Sequence, residues 1–319
     1  MPYLCSKLSR NMHCNLGKSE LDFDWLLFDF DNTLVDFHKA SDLAFHKTLT
    51  DYNIENDEAY YGIYEKINAK IWSDFEQKLI TAEDIRRTRF SLFLQEIGRD
   101  NLDGYEFNAQ YLSNIVEFTS IEPEIVQMLQ RLRSKFKMSI ITNGLKEVQR
   151  ARLAKCKIDH LFDSIVVSDE IGVAKPDSAF FEYTMSTIEQ EFEKEKILVI
   201  GDSLQSDIAG AKLFGLKSCH INAGNPDEKS ANIVLEDVLQ LEPLITNIYI
   251  PVNCDWYDYL EIYAMRKTLV DIEIKTETKP RILTTRILDL EAKNKEEFAH
   301  LEDGTKLRLD KIITINPSE

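Results

Sequence analysis

The sequence predicts an α/β protein: a Rossmann-like parallel sheet, a helical bundle inserted after its first strand, and a small all-β unit at the C-terminus. Three observations predict it. Short apolar runs end in polar residues at Trp25-Leu26-Leu27-Phe28 before Asp29, Met138-Ser139-Ile140-Ile141 before Thr142, and Ile197-Leu198-Val199-Ile200-Gly201 before Asp202. Runs of this length and apolarity are buried strands. Helix and strand patterns alternate from Glu122 to about Asn222, which gives a parallel sheet covered on both faces. Beyond Ile248 the pattern changes to short segments rich in Ile, Leu and Thr, separated by turn signals such as Asp303-Gly304.

Taken in order, the first twenty residues carry basic charge without an apolar run, so they predict a loose extension and no signal peptide. Cys5, His13 and Cys14 lie there, and a metal clip is the less economical reading of them. Residues 24–30 form the first strand. The stretch from about Phe37 to Phe118 lacks strand signals, and Tyr60, Ile63, Tyr64, Ile67 and Ile71 recur at helical spacing. Thr81-Ala82-Glu83-Asp84 is a helix start, with a capping threonine and acids in the first turn. Residues 236–247 read as a closing helix and connector. Residues 267–275, 281–289, 296–302 and 305–315 read as strands, after a short helix near Asp255 to Ala264.

The 319 residues allow one to three domains. A net charge of −17 at pH 7 argues against nonspecific binding to nucleic acid or anionic membrane. The five cysteines form no Cys-x-x-Cys pair, so neither a disulfide framework nor a zinc site is supported. No apolar stretch reaches the length of a membrane helix. Acidic balance and scattered thiols together suggest a cytoplasmic protein.

The chemistry begins at Asp29-Phe30-Asp31. Side chains two apart on a strand project the same way, so two carboxylates leave one strand end together. Like charges so close raise each other's pKa unless a cation intervenes, and hard oxygen ligands suit Mg²⁺. Such a pair alone is also what a solvated turn looks like. Three further segments bear on it: Thr142-Asn143-Gly144 after a strand, Lys175-Pro176-Asp177 before a helix, and Asp202 after another strand with Asp207 five residues on. Each admits a plainer reading: Thr142 caps a turn, Lys175 is a surface lysine, Asp207 starts a helix. Three aspartates at strand ends have no easy structural explanation.

In this order the four segments resemble the motif set of the haloacid dehalogenase-like hydrolase superfamily, over roughly residues 22–235. The resemblance implies that Asp29 is a nucleophile forming an aspartyl-phosphate and Asp31 the acid/base. It implies a Mg²⁺ shell from Asp29, Asp31 (through its carbonyl) and Asp202, with Asp207 in support. Thr142, with the amides of Asn143 and Gly144, would hold the phosphoryl oxygens, and Lys175 would balance the charge. Asn32 stands where many relatives carry Asp or Gly. Dehalogenase members lack an aspartate at the position of Asp31, so the expected reaction is phosphoester hydrolysis or phosphoryl transfer.

The insertion implies a cap over the site. Ile71-Trp72-Ser73-Asp74-Phe75-Glu76 and Arg86-Arg87-Thr88-Arg89-Phe90 resemble the cap of the pyrimidine 5′-nucleotidase subgroup, which makes Trp72 and Arg89 candidate substrate contacts. Trp72 and Phe75 as cap core is the competing reading. Pro251 to Glu261 and Leu307 to Ile312 resemble the Rho-binding antiterminator family, small Sm-like barrels that meet the basic RNA-binding surface of the terminator Rho. Asp255, Asp258 and Glu261 share one helix face there.

The expected organisation is an extension (1–21), a hydrolase core (22–36 and 119–235), a helical cap (37–118), a connector (236–247) and the antiterminator-like domain (248–319). The expected function is a Mg²⁺-dependent pyrimidine nucleoside 5′-monophosphatase with a tail that binds Rho. The alternatives are a regulatory binding protein whose hydrolase domain senses a metabolite, and a sugar-phosphate phosphatase.

Overall fold

The computed structural model describes residues 13–14, 21–188, 193–221, 231–246, 254–276, 280–293 and 296–318, with only the backbone at 13–14, 254–259 and 293. The possible metal clip of Cys5, His13 and Cys14 therefore lies outside the described side chains. The chain divides into two compact units, one of 23–222 with 227–234 and the other of 1–22, 223–226 and 235–319.

After a two-residue strand β1 (His13–Cys14), the elements of the larger unit are β2 (Trp25–Phe28), α1 (Phe37–Asp51), α2 (Glu58–Glu76), α3 (Ala82–Glu96), α4 (Gly104–Phe118), α5 (Pro123–Arg133), β3 (Lys137–Thr142), α6 (Lys146–Cys156), β4 (Ser164–Val167), α7 (Ser168–Ile171), α8 (Ser178–Ser186), β5 (Ile197–Gly201), α9 (Ala209–Phe214), β6 (Lys217–Ile221) and β7 (Ile233–Leu235). Six strands of its sheet run in the order β7-β6-β5-β2-β3-β4. The pairings of β2 with β3 and β5, β3 with β4, and β5 with β6 are parallel. Every residue of β2 and β5 is buried, as a central strand covered on both faces requires.

The registers matter for the site. Phe28 is level with Ile140 on one side and Ile200 on the other. The residues that follow on these three strands therefore emerge together at one carboxyl edge, where open parallel sheets bind ligands.

Helices α1 to α4 form the insertion. Thr81 closes a reciprocal capping box with Asp84 at the start of α3, the signal read in the sequence. Asp103 accepts from the amides of Tyr105 and Glu106 to start α4. An aromatic core fills the bundle: Phe45, Tyr64, Phe90, Phe93, Phe107 and Tyr111, joined by Leu145 at the N-cap of α6 and Val148 in its first turn. Tyr64 and Ile71 are the buried members of the α2 stripe.

In the smaller unit, a 3₁₀ turn at Val238–Gln240 leads into α10 (Leu241–Ile245). There follow α11 (Cys254–Arg266), β8 (Leu269–Ile274), β9 (Arg281–Lys293), β10 (Glu296–Leu301), β11 (Lys306–Arg308) and β12 (Ile312–Pro317). They form an antiparallel sheet ordered β11-β10-β9-β8-β12 around Leu260, Val270, Ile272, Ile287 and Leu309. The expected single strand 305–315 is two strands. Lys306–Arg308 pairs with β10 and Ile312–Pro317 with β8, on opposite flanks of the sheet, so one straight strand cannot serve both. A 3₁₀ turn at Leu309–Lys311 makes the crossing. The Asp303-Gly304 turn falls where the sequence places it, with Gly304 at φ 84°.

Candidate active site

Asp29 follows β2, and its amide donates to Ile200 O at 2.8 Å, which anchors it against β5. Asp202 follows β5. Asp207 lies in the helical turn Leu204–Ile208, fully buried, with Oδ2 accepting from the amide of Ser203 at 3.1 Å. One carboxylate oxygen from each of Asp29, Asp202 and Asp207 lies within 4.8 Å of the others. Gly201 makes this possible: a Cβ there would stand 2.2 Å from Asp207 Oδ2.

Lys175 enters from the loop before α8 and is 1% exposed. Its Nζ donates to Asp29 Oδ1 at 2.7 Å, Asp207 Oδ1 at 2.6 Å and Ile141 O at 2.8 Å. The lysine is therefore a buried structural cation of the site rather than a surface residue. Burial alone would favour its neutral form, but Asp207 and Asp29 outweigh that and hold the ammonium charged. One ammonium does not neutralise three carboxylates. Burial, then crowding by Asp207 and the other acids, pushes Asp29 well above the usual carboxylate range against the pull of Lys175. Burial and Asp207 raise Asp202 to about 7.

Asp31 does not join this cluster through its carboxylate. Its Oδ2 accepts from Gln149 Nε2 at 3.0 Å, and its Oδ1 lies 2.6 Å from Arg152 Nη2, an ion pair off the line of the N–H bond. Arg152 is 1% exposed. It also donates to Thr119 Oγ1 at 2.8 Å and Gln149 Oε1 at 2.7 Å, and it stacks over Phe30 and Phe37. Gln149 donates in turn to Thr142 Oγ1 at 2.7 Å. Neither Gln149 nor Arg152 stands out in the sequence. The available signal was a pair of polar side chains three apart in the helix that follows a motif strand.

Asn32 adopts φ 55°, a left-handed conformation that asparagine tolerates. Its Oδ1 accepts from the amides of Phe37 and His38, joining the site loop to α1. Asn143 is a clamp: its side chain accepts from Lys175 N at 2.9 Å and donates to Lys175 O at 2.9 Å and to Glu76 Oε1 at 3.1 Å. The Gly144 amide donates to Ser168 Oγ at 3.0 Å, so a phosphoryl oxygen would have to displace that bond to be held there. A Cβ on Gly144 would meet the Gln149 side chain at 2.6 Å.

A cavity of about 260 Å³ stands above this floor. Asp29, Lys175, Asp202 and Asp207 line its base, and Asn68, Trp72, Glu76 and Arg89 line its cap side. Trp72 lines the cavity and also packs edge-on against Phe75 at 5.6 Å. Arg89 is 3% exposed and donates to Asn108 Oδ1 and Asn68 Oδ1 while lying over Phe90 and Tyr111. A larger hollow, about 500 Å³, opens at the other end of the strands by Trp25, Lys137 and Ile197. Its Arg133 and Lys137 are paired with Asp163, and Lys196 with Asp24, so it holds no comparable reactive set.

In the smaller unit, Asp255, Asp258 and Glu261 lie on α11. Glu261 is exposed, and the side chains of Asp255 and Asp258 lie outside the described residues. Among the described residues no helix is long and apolar enough to cross a membrane.

Fold and site together define a cap-bearing α/β phosphatase. The chain belongs to the haloacid dehalogenase-like hydrolase family, whose model matches residues 26–221. Residues 251–319 match a second family, described as modulator of Rho-dependent transcription termination. The HAD-hydrolase YfnB of Bacillus subtilis is 33% identical over 231 residues, covering 72% of this chain and 97% of its own. The magnesium-bound crystal structure of YfnB aligns with a TM-score of 0.61 over 64% of this chain and 91% of that one. The pyrimidine 5′-nucleotidase YjjG of Escherichia coli is 28% identical, over 65% of this chain and 90% of its own. The pyrimidine 5′-nucleotidase PynA of Streptococcus pneumoniae is 32% identical, over 63% and 84%.

Proposed function

We propose that the chain is a Mg²⁺-dependent nucleoside 5′-monophosphatase that favours pyrimidines. One observation carries this reading: a cavity with a carboxylate cluster at its base and an indole and a guanidinium on its cap side. Two relatives that cover most of their own length here are pyrimidine 5′-nucleotidases.

Asp29, Asp202 and Asp207 fit a magnesium ion, because three hard oxygen donors converge with a single ammonium against them. When bound, Mg²⁺ would neutralise charge on the phosphoryl oxygens. Asp29 attacks phosphorus with the oxygen that Lys175 does not hold, the ester P–O bond breaks, and Asp31, carrying the proton it took from water in the preceding turnover, gives it to the leaving oxygen. Asp31 then takes a proton from water as the water oxygen attacks phosphorus, and the Asp29–phosphorus bond breaks. Thr142 and Lys175 offset charge on the transferring group. Arg152 and Gln149 aim Asp31.

A panel of UMP, CMP, AMP and hexose 6-phosphate, with Mg²⁺ and with EDTA, tests the reading. UMP and CMP should lead in kcat/KM and EDTA should abolish turnover. Leading hexose phosphates, or activity that survives EDTA, would reject it.

The tail supports a second function, binding of Rho. Its support is the match of residues 251–319 and the exposure of Glu261 on α11. Capture of Rho by the full chain should weaken with salt and with joint alanine substitution of Asp255, Asp258 and Glu261. Capture insensitive to both would remove the acidic face from the interface.

A further inference from the structure

Asn68, Trp72 and Glu76 all line the cavity and stand four residues apart on α2. Residues so spaced share one helix face, and each step advances about 6 Å along the axis. Glu76 is the step nearest the chemistry. It is held by Asn143, which follows Thr142 and locks onto the backbone of Lys175. Asn68 is the far step and accepts from Arg89. From floor to roof the cap therefore offers a carboxylate, an indole, and an amide with a guanidinium.

Glu76 is the one carboxylate that the cap contributes to this cavity among the described residues. It faces a site already rich in carboxylates, and burial raises its carboxyl against the stabilising bond from Asn143. An acid there gains nothing from a phosphate dianion. A carboxylate only accepts hydrogen bonds, so its ligand partner is a donor, between the phosphate end of the cavity and the indole of Trp72 one helix step further along α2. In a nucleoside 5′-monophosphate that position is the sugar.

Building on the nucleotidase reading above, we propose that Glu76 is the sugar-recognition residue of this enzyme. Its carboxylate accepts a hydrogen bond from a ribose hydroxyl. It also repels phosphoesters that carry a second anionic group beside the ester, such as 2-phosphoglycolate.

The test compares the full-length Mg²⁺-loaded enzyme with Glu76→Ala and Glu76→Gln on three substrates: UMP, its 2′,3′-dideoxy analogue and 2-phosphoglycolate. Circular dichroism and Tm confirm folding, and the near-isosteric Glu76→Gln guards against a packing defect in the alanine variant. The native enzyme should favour UMP over the dideoxy analogue by roughly tenfold to a hundredfold in kcat/KM, the worth of a hydrogen bond to a charged group. Glu76→Ala should shrink that ratio to about threefold or less. Glu76→Gln should raise the relative kcat/KM for 2-phosphoglycolate by roughly tenfold or more, as expected when a like charge is removed.

A native enzyme indifferent to the missing hydroxyls overturns the proposal while leaving the nucleotidase reading intact. So does an equal loss on all three substrates in both variants, which would make Glu76 only a brace for Asn143. Absence of any nucleotide turnover by a native enzyme that hydrolyses other phosphoesters would overturn the nucleotidase reading and this proposal with it.

Discussion

On the proposed mechanism, Arg152 organises the chemistry without touching the carboxylate cluster. Its guanidinium reaches Asp31, Gln149 and Thr119 from a fully buried position between two aromatic rings. Arg152→Met keeps the bulk and removes the aim. Because proton transfer by a positioned group contributes about 10²–10⁴-fold, kcat for phosphate release should fall by roughly a hundredfold or more with KM little changed. A rate within threefold of the native enzyme would show that Asp31 needs no such support. The contrast with the motif residues is physical. Asp29, Thr142 and Asp202 are polar groups ending apolar runs, a pattern visible in one dimension. Gln149 and Arg152 sit on a helix where a buried polar face and a solvated one look alike, and only the fold shows which neighbour each meets.

At the level of elements, the cap is tied to the core by side chains of α2, α3 and the turn between them. Arg86 donates to Glu147 at 2.7 and 2.8 Å and to Asp169 at 2.5 Å, with Arg86 and Asp169 mostly buried. Lys78 pairs with Asp177, and Glu76 with Asn143. Arg86→Ala leaves Asp169 without its guanidinium and loosens the roof over the substrate. KM for the preferred substrate should rise about threefold to tenfold, with a loss of about 1–3 kcal/mol in stability. Stopped-flow turnover and urea unfolding check the two parts, and unchanged KM would mean the cap holds its place without this tie. A helical insertion was legible, with the stripe of α2 marked by apolar spacing and the start of α3 by the Thr81 capping signal; α1 and α4 carried no such separate mark. Which helix faces the cavity was not legible, because Trp72 serves packing and cavity at once. The splitting of 305–315 was less plain: Asp310-Lys311 is a weak interruption of a strand-like pattern, and the break there follows from where the two partner strands lie.

For the whole molecule, the acid cluster links protons and stability and, on the proposed reading, metal as well. Asp202 titrates near 7 in the fold, raised first by burial and then by Asp207, against about 3.9 for an aspartate in the unfolded chain. The native state binds that proton more tightly. Its contribution to stability is therefore fully present below about pH 4 and is lost as the pH rises to about 7. Magnesium should offset the loss, since it binds the ionised carboxylates. The Tm gain on adding millimolar Mg²⁺ should be larger at pH 8 than at pH 5.5, by about 2 °C or more. Equal gains at both values would place the stabilising ion elsewhere.

The central claim is that Asp29 is the nucleophile of a magnesium-supported phosphomonoesterase. The most direct measurement is phosphate release from UMP by native protein and Asp29→Asn at equal concentration in Mg²⁺, with circular dichroism confirming that both are folded. The exchange is nearly isosteric and leaves Lys175 and Asp207 paired. Release should fall by roughly four orders of magnitude or more, as when a catalytic nucleophile is removed. A folded Asp29→Asn variant that retains about a tenth of the native rate would contradict the account.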